Sequence, residues 1–67
     1  MKVGELIRLL HDDGWKLVRM KGSHRQFKNP FKPGTVTISG KPSREVPLGT
    51  LKSVLKQAGL TGKEKGR

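Results

Sequence analysis

The sequence predicts an α+β fold, an αβββα chain whose three-stranded antiparallel sheet carries two helices on one face. Three observations lead there. Apolar residues recur at helical spacing near both ends, period-two segments fill the middle, and glycines or prolines stand at the junctions. From Val3 to Asp13 the apolar positions Val3, Leu6, Ile7 and Leu10 return every three or four residues, with Glu5, Arg8 and Asp12 on the other side. That is the pattern of an amphipathic helix. Gly14 stands where a left-handed residue ends a helix. WKLVRMK then reads as a strand, Gly22 and Ser23 break it, and HRQFK reads as the second strand of a hairpin. NPFKPG, from Asn29 to Gly34, predicts a longer turn, because proline cannot donate within a ladder. TVTIS alternates, placing Val36 and Ile38 inward and Thr35, Thr37 and Ser39 outward. After a polar connection from Gly40 to Glu45, the positions Leu48, Leu51, Leu55 and Ala58, with Val54, predict the second helix, closed by Gly59 and capped by Leu60. The chain therefore reads as one domain over 1–60 followed by a flexible basic tail, 61–67. The sheet face away from the helices is left to water.

Composition narrows the function. With 67 residues, 31% of them hydrophobic and a single Trp15, there is apolar material for one thin core and no spare patch. The absence of Cys removes disulfides, thiolate metal sites and cysteine nucleophiles. No apolar run approaches the roughly 20 residues of a membrane helix, and no export signal opens the chain, so a soluble, cytoplasmic protein is expected, with no membrane partner.

Fifteen Lys and Arg against five Asp and Glu give a net charge of +10. Between Gly14 and Arg44 stand Lys16, Arg19, Lys21, Arg25, Lys28, Lys32, Lys41 and Arg44 with no acid among them. Such one-sided charge favours a phosphate polymer as partner, although a merely soluble basic surface would carry the same signature.

Few residues can do chemistry. His11 and His24 are thirteen apart without a converging carboxylate cluster, and Asp12 and Asp13 diverge on a helix, so no metal site is expected. His11, at the edge of the first helix's apolar stripe, reads as a partly buried or capping side chain. His24 follows the Gly22–Ser23 bend among Lys21, Arg25 and Lys28. If Phe27 faces the core, His24, Gln26 and Lys28 share the opposite face. An imidazole there is either a plain surface group or a base beside phosphate-binding cations. RNA brings its own nucleophile, the 2′-hydroxyl next to each phosphodiester, so a base and positive charge suffice for cleavage without metal or small-molecule cofactor. Trp15, just past a helix terminator, reads as core, and Phe31 is the better candidate for exposed base stacking.

GWKLVRMKGSHRQFKNP, then VTIS, then VPLGTLKSVLKQAGL resembles the HicA-type toxins, mRNA interferases of bacterial toxin–antitoxin pairs. The resemblance spans Val3 to Leu60. It implies a fold like the double-stranded-RNA-binding domain, catalysis by His24 on mRNA, and a cognate HicB-type antitoxin that covers the active surface. Lys21, Gly22, Ser23, Arg25, Lys28 and Lys41 are the accompanying candidates for RNA binding. The chain departs from many members at Arg25, where they carry a second histidine, and at Ser39 and Gly40, where they carry His-Pro. The proton donor is accordingly open among Lys21, Lys41 and water. A non-catalytic RNA-binding module, in which His24 only contacts phosphate or ribose, is the alternative function, and a DNA-binding part in autoregulation a weaker one.

Overall fold

The amphipathic patterns at the two ends form helices α1 (Val3–Asp12) and α2 (Leu48–Gln57), and the alternating segments form β1 (Lys16–Lys21), β2 (His24–Asn29) and β3 (Lys32–Ser39). This is a computed structural model, and it describes residues 1–60; the expected tail 61–67 lies outside the described residues. The sheet is antiparallel with order β1-β2-β3, so β2 is central and β1 and β3 are edges.

Both helices end in the same way, for a reason visible in the sequence. Gly14 (φ 100°) and Gly59 (φ 71°) take the left-handed conformation that side chains with a Cβ resist. Behind them, Trp15 N donates to Leu10 O at 3.0 Å and Leu60 N to Leu55 O at 2.7 Å, while Gly14 N reaches His11 O and Gly59 N reaches Lys56 O. These are the paired bonds of a Schellman motif, and each drives an apolar residue, Trp15 or Leu60, back under its helix. Both are fully buried, beside Leu6, Leu10, Phe27, Val36, Leu55 and Ala58.

A polar knot ties the two helix ends together. The Lys32 ammonium donates to Asp13 Oδ2 at 2.6 Å and to Ala58 O at 3.0 Å, so it holds the terminal residue of each helix. The same Asp13 carboxylate accepts from Trp15 Nε1 at 3.3 Å. Buried Asn29 donates to Asp13 O and accepts from Phe31 N, which closes the β2–β3 turn. That turn is shorter than the sequence suggests. Only Pro30 and Phe31 lie outside the strands, since Lys32 already pairs with Asn29. Pro33 and Gly34 sit inside β3, which tolerates them because it is an edge strand and the register shifts there between Phe27 and Asn29.

Phe27, Val36 and Ile38 face the helices and are buried, as the alternation predicts. Phe27 of β2 and Val36 and Ile38 of β3 join the helix residues in the core, whereas β1 contributes none and all six of its residues are exposed. The expectation of no spare apolar patch therefore fails at Leu17, Val18 and Met20. Between Ser39 and Leu48 the chain is laced to the N-terminus through Val3 N to Arg44 O, Gly4 N to Pro42 O and Val46 N to Met1 O. The Met1 ammonium, 2.7 Å from Glu45, holds that carboxyl below the usual carboxylate range through a hydrogen bond and its charge, with Lys2 adding to the effect.

Two outcomes follow. Lys32→Met keeps the aliphatic stem and removes the knot, so its urea midpoint corresponds to a loss of ~1–2 kcal/mol; an unchanged midpoint would show the knot to be inert. A carboxyl depressed on folding stabilises above its unfolded value and loses that contribution as pH falls through the folded one. The melting difference between the parent and Glu45→Gln is therefore present at neutral pH and fades below about pH 4, as thermal scans across pH will read.

Candidate active site

The β1–β2 hairpin sets the position of the one candidate base. Lys21 pairs with His24, which leaves a two-residue loop, Gly22–Ser23. Gly22 has φ 59°, and Ser23 is not in the positive region, the signature of a type II′ turn. A Cβ on Gly22 would meet nothing within 4 Å, so glycine is required there by backbone conformation and not by crowding. The turn puts His24 at the first position of the central strand, exposed, at the sheet end opposite the Lys32 knot. That separation is about 17 Å along β2.

Alternation along β2 then divides its side chains. Phe27 and Asn29 point under the helices, and Arg25 shares their side, with Nη1 donating to Gly40 O at 2.7 Å. His24, Gln26 and Lys28 take the open face. On β3, Ser39 and Thr37 stand opposite His24 and Gln26.

The other wall depends on an irregularity. In a regular strand, Arg19 and Lys21 would lie on the side of Leu17, which pairs with Phe27 and so faces the helix layer. The register shift between Leu17 and Arg19 inserts Val18 as an extra residue and reverses the phase. Arg19 consequently pairs with Gln26 and Lys21 with His24, both on the open face, while Met20 joins Leu17 on the other. The result is two rows across the sheet, Lys21–His24–Ser39 and Arg19–Gln26–Thr37, with a third pair, Lys16 and Lys28, beyond.

Arg19, Lys21, His24, Gln26 and Thr37 line a half-open cleft of about 420 Å³. Among the described residues no carboxylate borders it. Directly opposed residues sit with Cβ atoms about 5 Å apart, so the imidazole and the Lys21 ammonium reach the same volume. A phosphate drawn in by Arg19 and Lys21 would lie against a group that accepts and returns protons, with Gln26 and Thr37 supplying neutral hydrogen bonds.

The structure thus brings Lys21 and His24 together, with Gly22 and Ser23 forming the loop between them. Lys28 shares the face but stands one row past Gln26. Arg25 and Lys41 are not in the cleft: Arg25 is on the helix side, tethering Gly40, and Lys41 is in the connection beyond β3. Arg19 and Thr37 are the cleft residues that strict alternation misses or leaves unassigned. The signal for Arg19 was present in KLVRMK, where cations at 16 and 19 and apolar residues at 17 and 20 recur at three, a spacing no regular strand can sort by face. His11 is exposed in the last turn of α1, neither buried nor capping as its place at the stripe edge suggested. Phe31, 88% exposed, is at the far end of the sheet from His24.

A second cleft of about 430 Å³ opens on the helix side, between the 44–47 segment and α2, over Val3, Leu6, Ile38 and Val54. Among the described residues, no three His, Cys, Asp or Glu side chains converge as metal ligands, and no helix is long and apolar enough to cross a membrane.

Compared with known proteins, residues 3–60 match the family model described as the HicA toxin of bacterial toxin–antitoxin systems. No curated protein matches the chain.

Proposed function

The chain belongs to the HicA toxin family of bacterial toxin–antitoxin systems, and from that premise we propose that it is an mRNA interferase, a metal-independent endoribonuclease of the cytoplasm. The observation that carries this reading is His24 on the open sheet face, in a cleft walled by Arg19 and Lys21 and, among the described residues, free of carboxylates. The substrate is mRNA, and cleavage stops translation. A cognate HicB-type antitoxin neutralises the enzyme by laying acidic side chains over the cationic face.

In the proposed reaction, His24 takes the proton of a ribose 2′-hydroxyl, and the oxygen attacks the adjacent phosphorus. Arg19 and Lys21 offset the charge that builds on the non-bridging oxygens. The bond to the 5′-oxygen breaks, and that oxygen is protonated by Lys21 or by water. The products are a 2′,3′-cyclic phosphate and a 5′-hydroxyl. Lys28 with Lys16 extends the phosphate track beyond the cleft, and Gln26 and Thr37 hydrogen-bond the ribose or phosphate between.

His24→Ala should retain the parental melting temperature and RNA affinity while its cleavage of a synthetic oligoribonucleotide in EDTA falls by about 100-fold or more. A single 2′-deoxy sugar at the scissile position should protect the parental substrate. If His24→Ala cuts at the parental rate, the assignment is lost; if the parent binds RNA but never cuts it, the chain is a binding module.

Arg19→Ala and Arg25→Ala separate the two faces. The first should lower RNA affinity, with a loss that shrinks as salt rises, and leave the fold intact. The second should lower the thermal midpoint through loss of the Gly40 tether, with cleavage by the folded protein within about 3-fold of the parent. Salt-dependent filter binding and thermal melts distinguish these effects.

A further inference from the structure

Strand β1 is anomalous for so small a chain. Leu17, Val18 and Met20 are 50%, 55% and 56% exposed, in a protein with barely enough apolar mass for its core. Leu17 and Met20 lie on the helix side of the sheet, paired with Phe27 and Arg25, but neither is part of the core and both stay exposed. Val18, the bulged residue, sits between them. β1 is also an edge, pairing with β2 alone, so among the described residues one side of its backbone has no strand neighbour. Contiguous exposed apolar residues along an open edge mark an interaction surface.

Charge decides the occupant. Lys16, Arg19 and Lys21 alternate with the apolar triplet and project to the opposite face, where Arg19 and Lys21 form the wall of the cleft. A second copy laid along β1 would set these cations against their own counterparts, which is unfavourable in directly opposed positions. Lysines and a bulge are also the features that keep an edge from pairing indiscriminately. A partner must therefore offer apolar side chains on one side and carboxylates on the other.

We infer that β1 is the anchoring surface for the cognate antitoxin, which seats an acidic, apolar-faced segment along this edge. Leu17, Val18 and Met20 hold it, and its carboxylates reach Arg19 and Lys21. The inference rests on the toxin–antitoxin reading and adds a second site to it. Affinity comes from an apolar strip outside the cleft, and inhibition follows because the same strand supplies the cleft's cations. A partner residue flanking Arg19 or Lys21 lies about 5 Å away and competes directly with phosphate.

The double variant Leu17→Ser/Met20→Ser removes the anchor without touching a cleft side chain or a buried core residue. Purified variant and parent are titrated with the purified antitoxin by calorimetry, and cleavage of the oligoribonucleotide is followed with and without antitoxin. The expected result is cleavage within about 2-fold of the parent, with antitoxin affinity and inhibitory potency reduced about 30-fold or more. Antitoxin binding at parental affinity overturns the inference. So does light scattering that shows the parent alone dimerising while the double variant is monomeric, since the occupant would then be a second copy. Calorimetry uses no RNA, so the anchor is read even if the parent proves catalytically inert, and failure of the nuclease reading is distinguishable from failure of this one. Thermal melts of the double variant at the parental temperature exclude unfolding as the cause.

Discussion

The Lys32 ammonium is the point on which the arrangement turns. It accepts no hydrogen bond and must give its protons away, and in this fold it gives them to Asp13 and to the carbonyl of Ala58, the residues that cap the C-terminal ends of the two helices. The geometry is possible because Gly14 and Gly59 end both helices at the same end of the sheet, and a side chain at either glycine would crowd Asn29 or Lys32. Asp13 also receives the indole nitrogen of Trp15, so the largest buried side chain has its polar atom satisfied at the same place. Both helices are thereby fastened at the Asn29–Lys32 end of the sheet, and the face turned away from them, where His24 stands at the other end of β2, is left open. The anchoring and the chemistry occupy opposite ends of one central strand.

The Val18 bulge has comparable weight for the site. It is a single extra residue, yet it moves Arg19 and Lys21 to the open face and Met20 to the other. The bulge therefore creates two surfaces at once, a cationic wall on the open face and an exposed apolar strip on the other. Cations concentrated in this way repel one another, a cost to stability in a chain already carrying +10. A polyanionic substrate or an acidic partner relieves that repulsion, and any ligand that binds only the folded state stabilises it by mass action. In this light the bare β1 edge of a small domain is less an economy of material than a place reserved for another chain.

The arrangement also clarifies the departures of this sequence from its relatives. Arg25, where many members carry a second histidine, is turned under the sheet and fixed to Gly40. Of Ser39 and Gly40, where many carry His-Pro, Ser39 pairs with His24 and Gly40 receives the Arg25 tether. The position of Ser39 offers a neutral hydrogen-bonding group next to the imidazole. Of the two cations that flank the Gly22–Ser23 bend in the sequence, Lys21 and Arg25, only Lys21 lies beside His24 on the open face.

The element order, the helix terminators, the inward Phe27, Val36 and Ile38, and the exposure of His24 were all legible in the sequence, because each depends on periodicity or on backbone conformations that only certain residues adopt. Helical stripes, strand alternation and left-handed glycines are local properties, written within a few residues of where they act. The β3 start at Lys32, the bulge at Val18, the joint grip of Lys32 on two helix ends and the tether of Arg25 were settled by tertiary structure alone. Each involves partners distant in the chain: Lys32 meets Ala58 across 26 positions, and Arg25 meets Gly40 across 15. Pro33 could enter β3 only because β3 is an edge, and edge status belongs to the assembled sheet. Likewise KLVRMK records that cations and apolar residues must separate, but which of them face the cleft is decided by pairing with β2.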